Sequence, residues 1–354
     1  MEKIAIVFCG GMHSCPYIEK YLKACKAKSV EYDVLFWDRT GEDGAQPENY
    51  YNFAETSGLY IPKRKKLFAF LRFGRFLRKM IRQKKYDKLI VLTTLPAILC
   101  YNLLVGKYKS KYIFDFRDVS FEYNELFLRC VQRICDKSFF TCISSPGFQE
   151  ILGERNLVPV HNFRYADLDG KKDVADPAPN KINIVHMGIT RGDALNKQIA
   201  DVFGNDDRFR LYFIGRGNDS PVFTEYAKNY SNITVMGTYD NAEKEKYISD
   251  ATMLLYYYPS NFGCKRALAN KYYDGIIYKK PLLGNVDTYS GMRLMEKGVG
   301  ISVRMEDKDV TDKVYEYISN LDVQQYSAMA EKELTAILQE DKFYLQKIDE
   351  FLDS

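Results

Sequence analysis

Short β-rich runs alternate with stretches of helical periodicity along the first half of the chain. IAIVF leads into a helical pattern from Pro16 to Lys26, and DVLFWD, a loop and a long basic helix follow. KLIVLTT, a helix opening at Pro96, YIFDFRD, a further helix and SFFTCIS complete the half. Strands separated by helices of this length imply right-handed crossovers and a parallel sheet covered on both faces. The pattern predicts a Rossmann-like unit.

The periodicity lapses from Asp167 to Asn180, where DLDGKKDVADPAPN is polar and contains proline, and a linker is expected. Alternation then resumes with INIVHMG, RLYFIGRG, NITVMG, ATMLLYYY, PLLGN and GVGISV, interleaved with helical stretches that include Ala242 to Asp250 and Asn270 to Tyr278. A second Rossmann-like unit is expected, closed by a helical tail from Val323. The predicted organisation is a first domain over residues 1–168, a linker over 169–180, a second domain over 181–322 and a tail over 323–354. Two open α/β sheets of this kind would face each other across a cleft at the carboxyl ends of their strands, where such sheets bind ligands.

A length of 354 residues suits two domains of ordinary size. Hydrophobic residues at 46% and charged residues at 28% exclude disordered, collagen-like and coiled-coil classes. A net charge of +4 does not by itself single out nucleic acid. Eight cysteines lie mostly in apolar runs without C-x-x-C spacing, and with only three histidines a structural zinc site is not expected. Buried thiols fit a reducing cytosol. MEKIAIVFCGG enters a strand and a glycine turn directly, without signal-peptide features. The uncharged stretch Leu89 to Gly106 is interrupted by Thr93, Thr94, Pro96 and Asn102, so it reads as strand, turn and buried helix.

The second half carries glycine turns after strands at Gly188, at Gly215 and Gly217, and at Gly237. Such turns let backbone amides approach a ligand, and a following helix N-terminus favours phosphate. Arg191 and Lys197, after Gly188, are two cations that could neutralise a departing diphosphate. In ANKYYDGIIYKKPLLGN, a helix over Asn270 to Tyr278 places Asn270, Lys271 and Asp274 near its first turn. An acid there can accept both hydroxyls of a ribose while Lys271 meets phosphate. Taken alone, these residues suit a capped helix with Lys or Asn paired to Asp at i, i+3 or i+4.

With these pieces in order, the chain resembles the group 1 glycosyltransferases of the GT-B fold, including those of bacterial surface polysaccharide synthesis. The resemblance rests on the GG turn after the first strand, YIFDFRD, ISSPGFQEIL, VHNF, MGITRGDALNK, FIGRG, VMGTYDNAEKEKYISDATMLLYYYPS and NKYYDGIIYKKPLL, and covers nearly the whole chain. It implies that Arg191 and Lys197 grip the donor diphosphate, that Asp274 holds the donor ribose, and that Gly10 and Gly11 approach donor phosphate and acceptor. It also implies that Asn270 and Lys271 line the phosphate and sugar pocket. Arg266 stands where many relatives carry a second acid, and Arg117 stands where many carry a histidine before Asp118.

For a catalytic base the candidates are Asp118, Asp115 and His13, with Asp118 preferred. A salt bridge to Arg117 or a helix N-cap would explain Asp118 as well, and in retaining relatives the leaving phosphate can take the proton. Asp167-Leu168-Asp169 has the spacing of a metal-binding D-x-D, but it lies in the expected linker, and no metal or cofactor is expected.

From Lys63 to Lys85 the chain holds many cations and no acid, interleaved with an apolar stripe that includes Leu67, Phe70, Leu71, Phe73, Phe76, Leu77, Met80 and Ile81. Arg72, Arg75, Lys79 and Arg82 lie opposite. Such a helix can pack on its own sheet and also turn its cations to anionic lipid, so a cytoplasmic protein peripheral on the inner membrane face is expected. No aromatic platform or binding motif accompanies the charge, which argues against nucleic acid. The expected activity is sugar transfer from a nucleoside-diphosphate sugar to a glycan or lipid-linked acceptor, in capsule, O-antigen or exopolysaccharide assembly. The alternatives are a sugar-nucleotide epimerase of the same layout and an inactive glycosyltransferase-like scaffold.

Overall fold

The computed structural model describes residues 2–56, 62–169 and 181–354. The chain forms two compact units, Met1–His161 with Gln339–Ser354, and Asn162–Leu338. The expected boundary at residue 168 thus falls inside the second unit, and residues 170–180 of the expected linker lie outside the described residues.

The first unit holds a seven-stranded parallel sheet of β1 (Lys3–Val7), β2 (Glu31–Phe36), β3 (Tyr50–Asn52), β4 (Lys88–Leu92), β5 (Tyr112–Phe116), β6 (Phe140–Ile143) and β7 (Leu157–Pro159), in the order β3-β2-β1-β4-β5-β6-β7. The register pairs Ile6 with Val34 on one side and with Ile90 on the other. The three-residue edge strands β3 and β7 carry no periodicity of their own and are defined by pairing alone. Ile4, Ile6, Val34, Ile90 and Ile113 are buried because both faces of a parallel sheet are covered.

The second unit repeats the plan with six parallel strands, β8 (Ile182–Met187), β9 (Phe209–Ile214), β10 (Ile233–Met236), β11 (Met253–Tyr256), β12 (Leu282–Asn285) and β13 (Gly300–Val303), in the order β10-β9-β8-β11-β12-β13. One buried cluster gathers Val185, Ile214, Leu254, Tyr272, Ile276 and Leu282, and a second gathers Ile184, Leu211, Phe213 and Leu255, so successive strand residues serve opposite faces.

Two expectations change. The tail is a continuous helix, Val323–Asp353, whose residues up to 338 belong to the second unit and the rest to the first. Tyr344, Ile348, Phe351 and Leu352 lie in the core of the first unit, because its i, i+4 and i+7 positions present apolar side chains. The basic helix, Lys63–Lys84, splits its apolar stripe. Phe70, Phe73, Leu77 and Ile81 are buried, with Phe70 and Phe73 against Trp37, while Leu67, Phe68 and Leu71 are 58%, 60% and 40% exposed. Arg72, Arg75, Lys79 and Arg82 are exposed.

Candidate functional site

In the second sheet the strand order reverses between β8 and β11, and ligands of open α/β sheets sit outside the carboxyl ends of strands at such a reversal. The loop leaving β8 runs against the loop leaving β9: the Gly188 N–H donates to the Ile214 carbonyl at 2.9 Å and the Thr190 N–H to the Arg216 carbonyl at 3.1 Å. Gly215, at φ +121°, could carry no side chain, since a Cβ would stand 2.4 Å from the Gly188 carbonyl oxygen. Gly217 likewise abuts Thr190, with 2.8 Å from such a Cβ to Thr190 Cγ2. Asn218 Nδ2 donates to the Gly188 carbonyl at 2.9 Å and stitches the loops together. The glycines are required for this close approach, and the Gly215 N–H is engaged by the Gly237 carbonyl at 2.9 Å.

What the reversal point assembles is cationic. The Arg191 guanidinium lies 4.6 Å from the ring centre of Tyr258, just beyond β11, and the Lys271 ammonium lies 5.4 Å from the same ring. Lys271 Nζ also donates to the Tyr258 hydroxyl at 3.4 Å and stands 3.4 Å from His186 Nε2. Burial pushes the Tyr258 phenol up, but Lys271 and Arg191 outweigh it and hold the group below its ordinary value. Burial together with Lys271 and Arg191 drives His186 well down, so its ring is neutral, and its buried Nδ1 has no hydrogen-bond partner among the described residues. Two positive charges held on one aromatic ring at a strand end suit an anion with several oxygens.

Lys271 is fixed because the helix Asn270–Ile277 is anchored one residue later. Tyr272 is fully buried and its hydroxyl donates to Glu333 at 2.7 Å, with Arg293 on the same carboxylate. Asn270 is exposed at the helix start, and no side chain caps that end. Asp274, one turn on, accepts from Lys244 Nζ at 2.6 Å, and Lys244 also donates to Asp167 at 2.8 Å. Burial raises the Asp274 carboxyl above its ordinary value despite Lys244. Asp167, half of the D-x-D spacing, is therefore a buried ion-pair member of the second unit. Lys197 does not join the Tyr258 group: its ammonium sits 4.7 Å over the ring of Tyr226. Arg266 lies over Phe262, 4.6 Å from its ring centre.

In the first sheet the order reverses between β1 and β4, and the residues after β1 are Gly10, Gly11 and His13. His13 Nδ1 is 2.9 Å from Asp43 Oδ1, and Asp43 Oδ2 accepts the Met12 N–H at 2.5 Å. The Asp43 side chain is 5% exposed and that of His13 is 52% exposed. A Cβ on Gly11 would stand 2.6 Å from the His13 ring, so glycine there leaves room for the pair. Gly10 leaves similar room for Phe8, 2.8 Å from such a Cβ. Asp38 accepts the N–H groups of Thr40, Gly41 and Asp43 and so shapes the loop that delivers Asp43. The other ring nitrogen, Nε2, lies 3.6 Å from the exposed carboxylate of Glu42, so the half-exposed imidazole stands between two acids, and orientation through Nδ1 by Asp43 suits a general base.

Asp118 is exposed in the loop after β5, and Arg117 beside it turns inward to Asp115 at 2.6 Å and over the Tyr17 ring at 4.0 Å. Asp115 also accepts from Tyr21 at 2.8 Å and is fully buried, which removes it from the list of bases. Asp43, Tyr258, His186 and Lys244 were not anticipated. Their signal is spatial, since Tyr258 reads locally as the end of a buried strand and Lys244 as a surface cation.

No family model matches the chain, and no curated protein matches it by sequence. Solved structures do. Sucrose-phosphate synthase (tll1590) from Thermosynechococcus elongatus is 13% identical with a TM-score of 0.70, over 98% of this chain and 99% of that one. The lipopolysaccharide outer core galactosyltransferase WaaB, in its apo form, is 13% identical with a TM-score of 0.65, over 99% of both chains. A putative UDP-N-acetylglucosamine 2-epimerase from Listeria monocytogenes is 11% identical with a TM-score of 0.53, over 95% of this chain and 96% of that one. The chain has the GT-B fold, two Rossmann-like units of parallel sheet covered by helices.

Proposed function

We propose that the protein is a glycosyltransferase that takes a sugar from a nucleoside-diphosphate donor to a hydroxyl acceptor. The observation that carries this reading is the convergence of Arg191 and Lys271 on Tyr258 where the second sheet reverses its strand order, with Asp274 one turn along the same helix as Lys271. The cations would meet the diphosphate, and Asp274 the ribose hydroxyls. In the reaction the bond between the anomeric carbon and the β-phosphate oxygen breaks, its electron pair leaves on the diphosphate, and the acceptor oxygen bonds to that carbon. Arg191 and Lys271 stabilise the charge developing on the leaving group. His13, oriented by Asp43, is the proposed acceptor of the hydroxyl proton, in preference to the exposed Asp118.

Glycan or lipid-linked acceptors of surface polysaccharide assembly are the proposed setting, supported by the fold shared with the lipopolysaccharide transferase. Exposed Leu67, Phe68 and Leu71 beside exposed Arg64, Lys65 and Arg75 support peripheral attachment to anionic lipid at the cytoplasmic face. No helix among the described residues is long and apolar enough to cross a membrane.

The test is a thermal-shift panel of nucleotide sugars, followed by incubation of the stabilising donor with and without candidate acceptors. Transfer that needs both substrates supports the proposal. Isomerisation of donor alone identifies the epimerase reading, which the likeness to an epimerase structure keeps in play. Absence of both stabilisation and transfer across the panel counts against the proposal and leaves the scaffold reading.

A further inference from the structure

Lys244 occupies an unusual place for a cation. It opens the short helix Lys244–Ser249, where the helix dipole disfavours positive charge, and its side chain is only 13% exposed. What holds it there is a pair of carboxylates, Asp274 at 2.6 Å and Asp167 at 2.8 Å, themselves 14% and 7% exposed. Burial works against the ammonium, yet the two acids keep Lys244 charged above its ordinary range.

One ammonium shared by a buried acid, Asp167, and a largely buried one, Asp274, leaves the group short of positive charge. The other charged or titratable groups facing Asp274 and its partner do little to repair this. Lys271 lies on the same helix but leans to Tyr258 and His186. Arg164 approaches Asp167 at 3.5 Å and is half exposed, so solvent screens its charge. Tyr239 and Tyr278 are phenols that burial and the nearby acids keep protonated, and Glu245 adds only like charge. Near neutrality, Asp274 therefore depends on Lys244 to stay ionised, and only an ionised carboxylate accepts from both hydroxyls of a ribose.

We infer that Lys244 is a positioning residue that holds Asp274 as an oriented carboxylate for the nucleotide ribose, and that Asp167 tunes this by drawing on the same ammonium. This rests on the reading of Asp274 as the ribose-binding acid. The two partners then act in opposite senses. Without the Lys244 charge, burial and Asp167 both favour protonated Asp274, so nucleotide binding is lost near neutrality and regained at alkaline pH. Without the Asp167 charge, Lys244 serves Asp274 alone, and binding persists to lower pH than in the native protein. A merely structural ion pair would weaken binding in both variants at every pH.

The experiment titrates the full chain with UDP, GDP and ADP by calorimetry from pH 5 to 9, for the native protein and for K244M, K244R, D167N and D274N. Each affinity is read as a ratio to the native protein at the same pH, so that titration of the phosphates cancels. K244M is expected to bind about tenfold or more weakly at pH 6.5 and within about twofold of native at pH 8.5. K244R should restore most of the loss, and the D167N ratio should rise above one on the acid side. If D274N binds like the native protein, the ribose reading itself is wrong. If D274N loses binding while K244M and D167N move in parallel or not at all, the ribose reading survives and the role given to Lys244 and Asp167 is overturned. Should K244M fail to fold, the acid limb of D167N decides alone, since only an upward ratio there supports the inference.

Discussion

Replacing Gly215 with alanine tests why the second unit carries glycines at its strand ends. Gly215 sits at φ +121°, a backbone conformation costing a residue with a Cβ about 1–3 kcal/mol. The added Cβ would also stand 2.4 Å from the Gly188 carbonyl oxygen and 2.9 Å from the Gly188 nitrogen, both backbone atoms that no rotamer change can move. Overpacking of this kind costs about 1–3 kcal/mol more. The sum is roughly 4 kcal/mol, and for a unit of this size the melting transition should fall by about 8–16 °C.

Two further substitutions separate the causes. Gly192 has φ +114° with nothing within 4 Å of its Cβ position, so G192A should show the backbone cost alone, about 1–3 kcal/mol. Gly44 has neither constraint and is exposed, so G44A should stay within about 0.5 kcal/mol of native. Differential scanning calorimetry of the full chain, with urea midpoints alongside, gives the ranking. If G215A loses no more than G192A, the close approach of the β8 and β9 loops is not the reason for glycine there.

Lys271→Met should weaken nucleoside-diphosphate binding roughly tenfold to a hundredfold while leaving affinity for the bare nucleoside nearly unchanged, since a charge-assisted contact contributes about 1.5–3 kcal/mol; equal losses for both ligands would place Lys271 away from the phosphates. His13→Asn should lower kcat by about 10²–10⁴ with donor affinity retained, and Asp43→Asn should do so more mildly; an unchanged kcat would remove His13 from the chemistry. His186 is held neutral in the fold below its ordinary value near 6.5, so its contribution to stability is complete above that pH and is lost as pH falls through it, when the unfolded chain binds the extra proton. Melting temperature should therefore drop more gently between pH 6.5 and 5 in His186→Asn than in the native protein, and identical slopes would contradict this. Replacing Leu67, Phe68 and Leu71 together by serine should reduce sedimentation with vesicles rich in phosphatidylglycerol without altering the melting point; unchanged sedimentation would point away from this helix as the attachment surface.

The alternation of apolar runs and helical periods by itself determined the twin parallel-sheet architecture, because a strand buried on both faces must be apolar along its length and each crossover needs a helix of limited length. The edge strands β3 and β7 were not legible, since three residues carry no period and exist only through their partners. Among the site residues, Arg191, Lys271 and Asp274 could be picked out because each follows a strand end or opens a helix. Tertiary structure decided the rest. The local sequence of Gly215 shows a permissive turn, but only the neighbouring loop shows that the missing side chain makes room for backbone. Lys197 differs from Arg191 in being carried on a helix whose phase turns it to Tyr226, while Lys271 is drawn to Tyr258 by the anchoring of Tyr272 on Glu333. Asp167 reads as part of a polar linker and is instead joined through Lys244 to Asp274, more than a hundred residues away along the chain. Periodicity is a property of near neighbours, whereas the protonation and orientation of a buried carboxylate depend on charges that arrive from distant segments, and those meet only when the chain is folded.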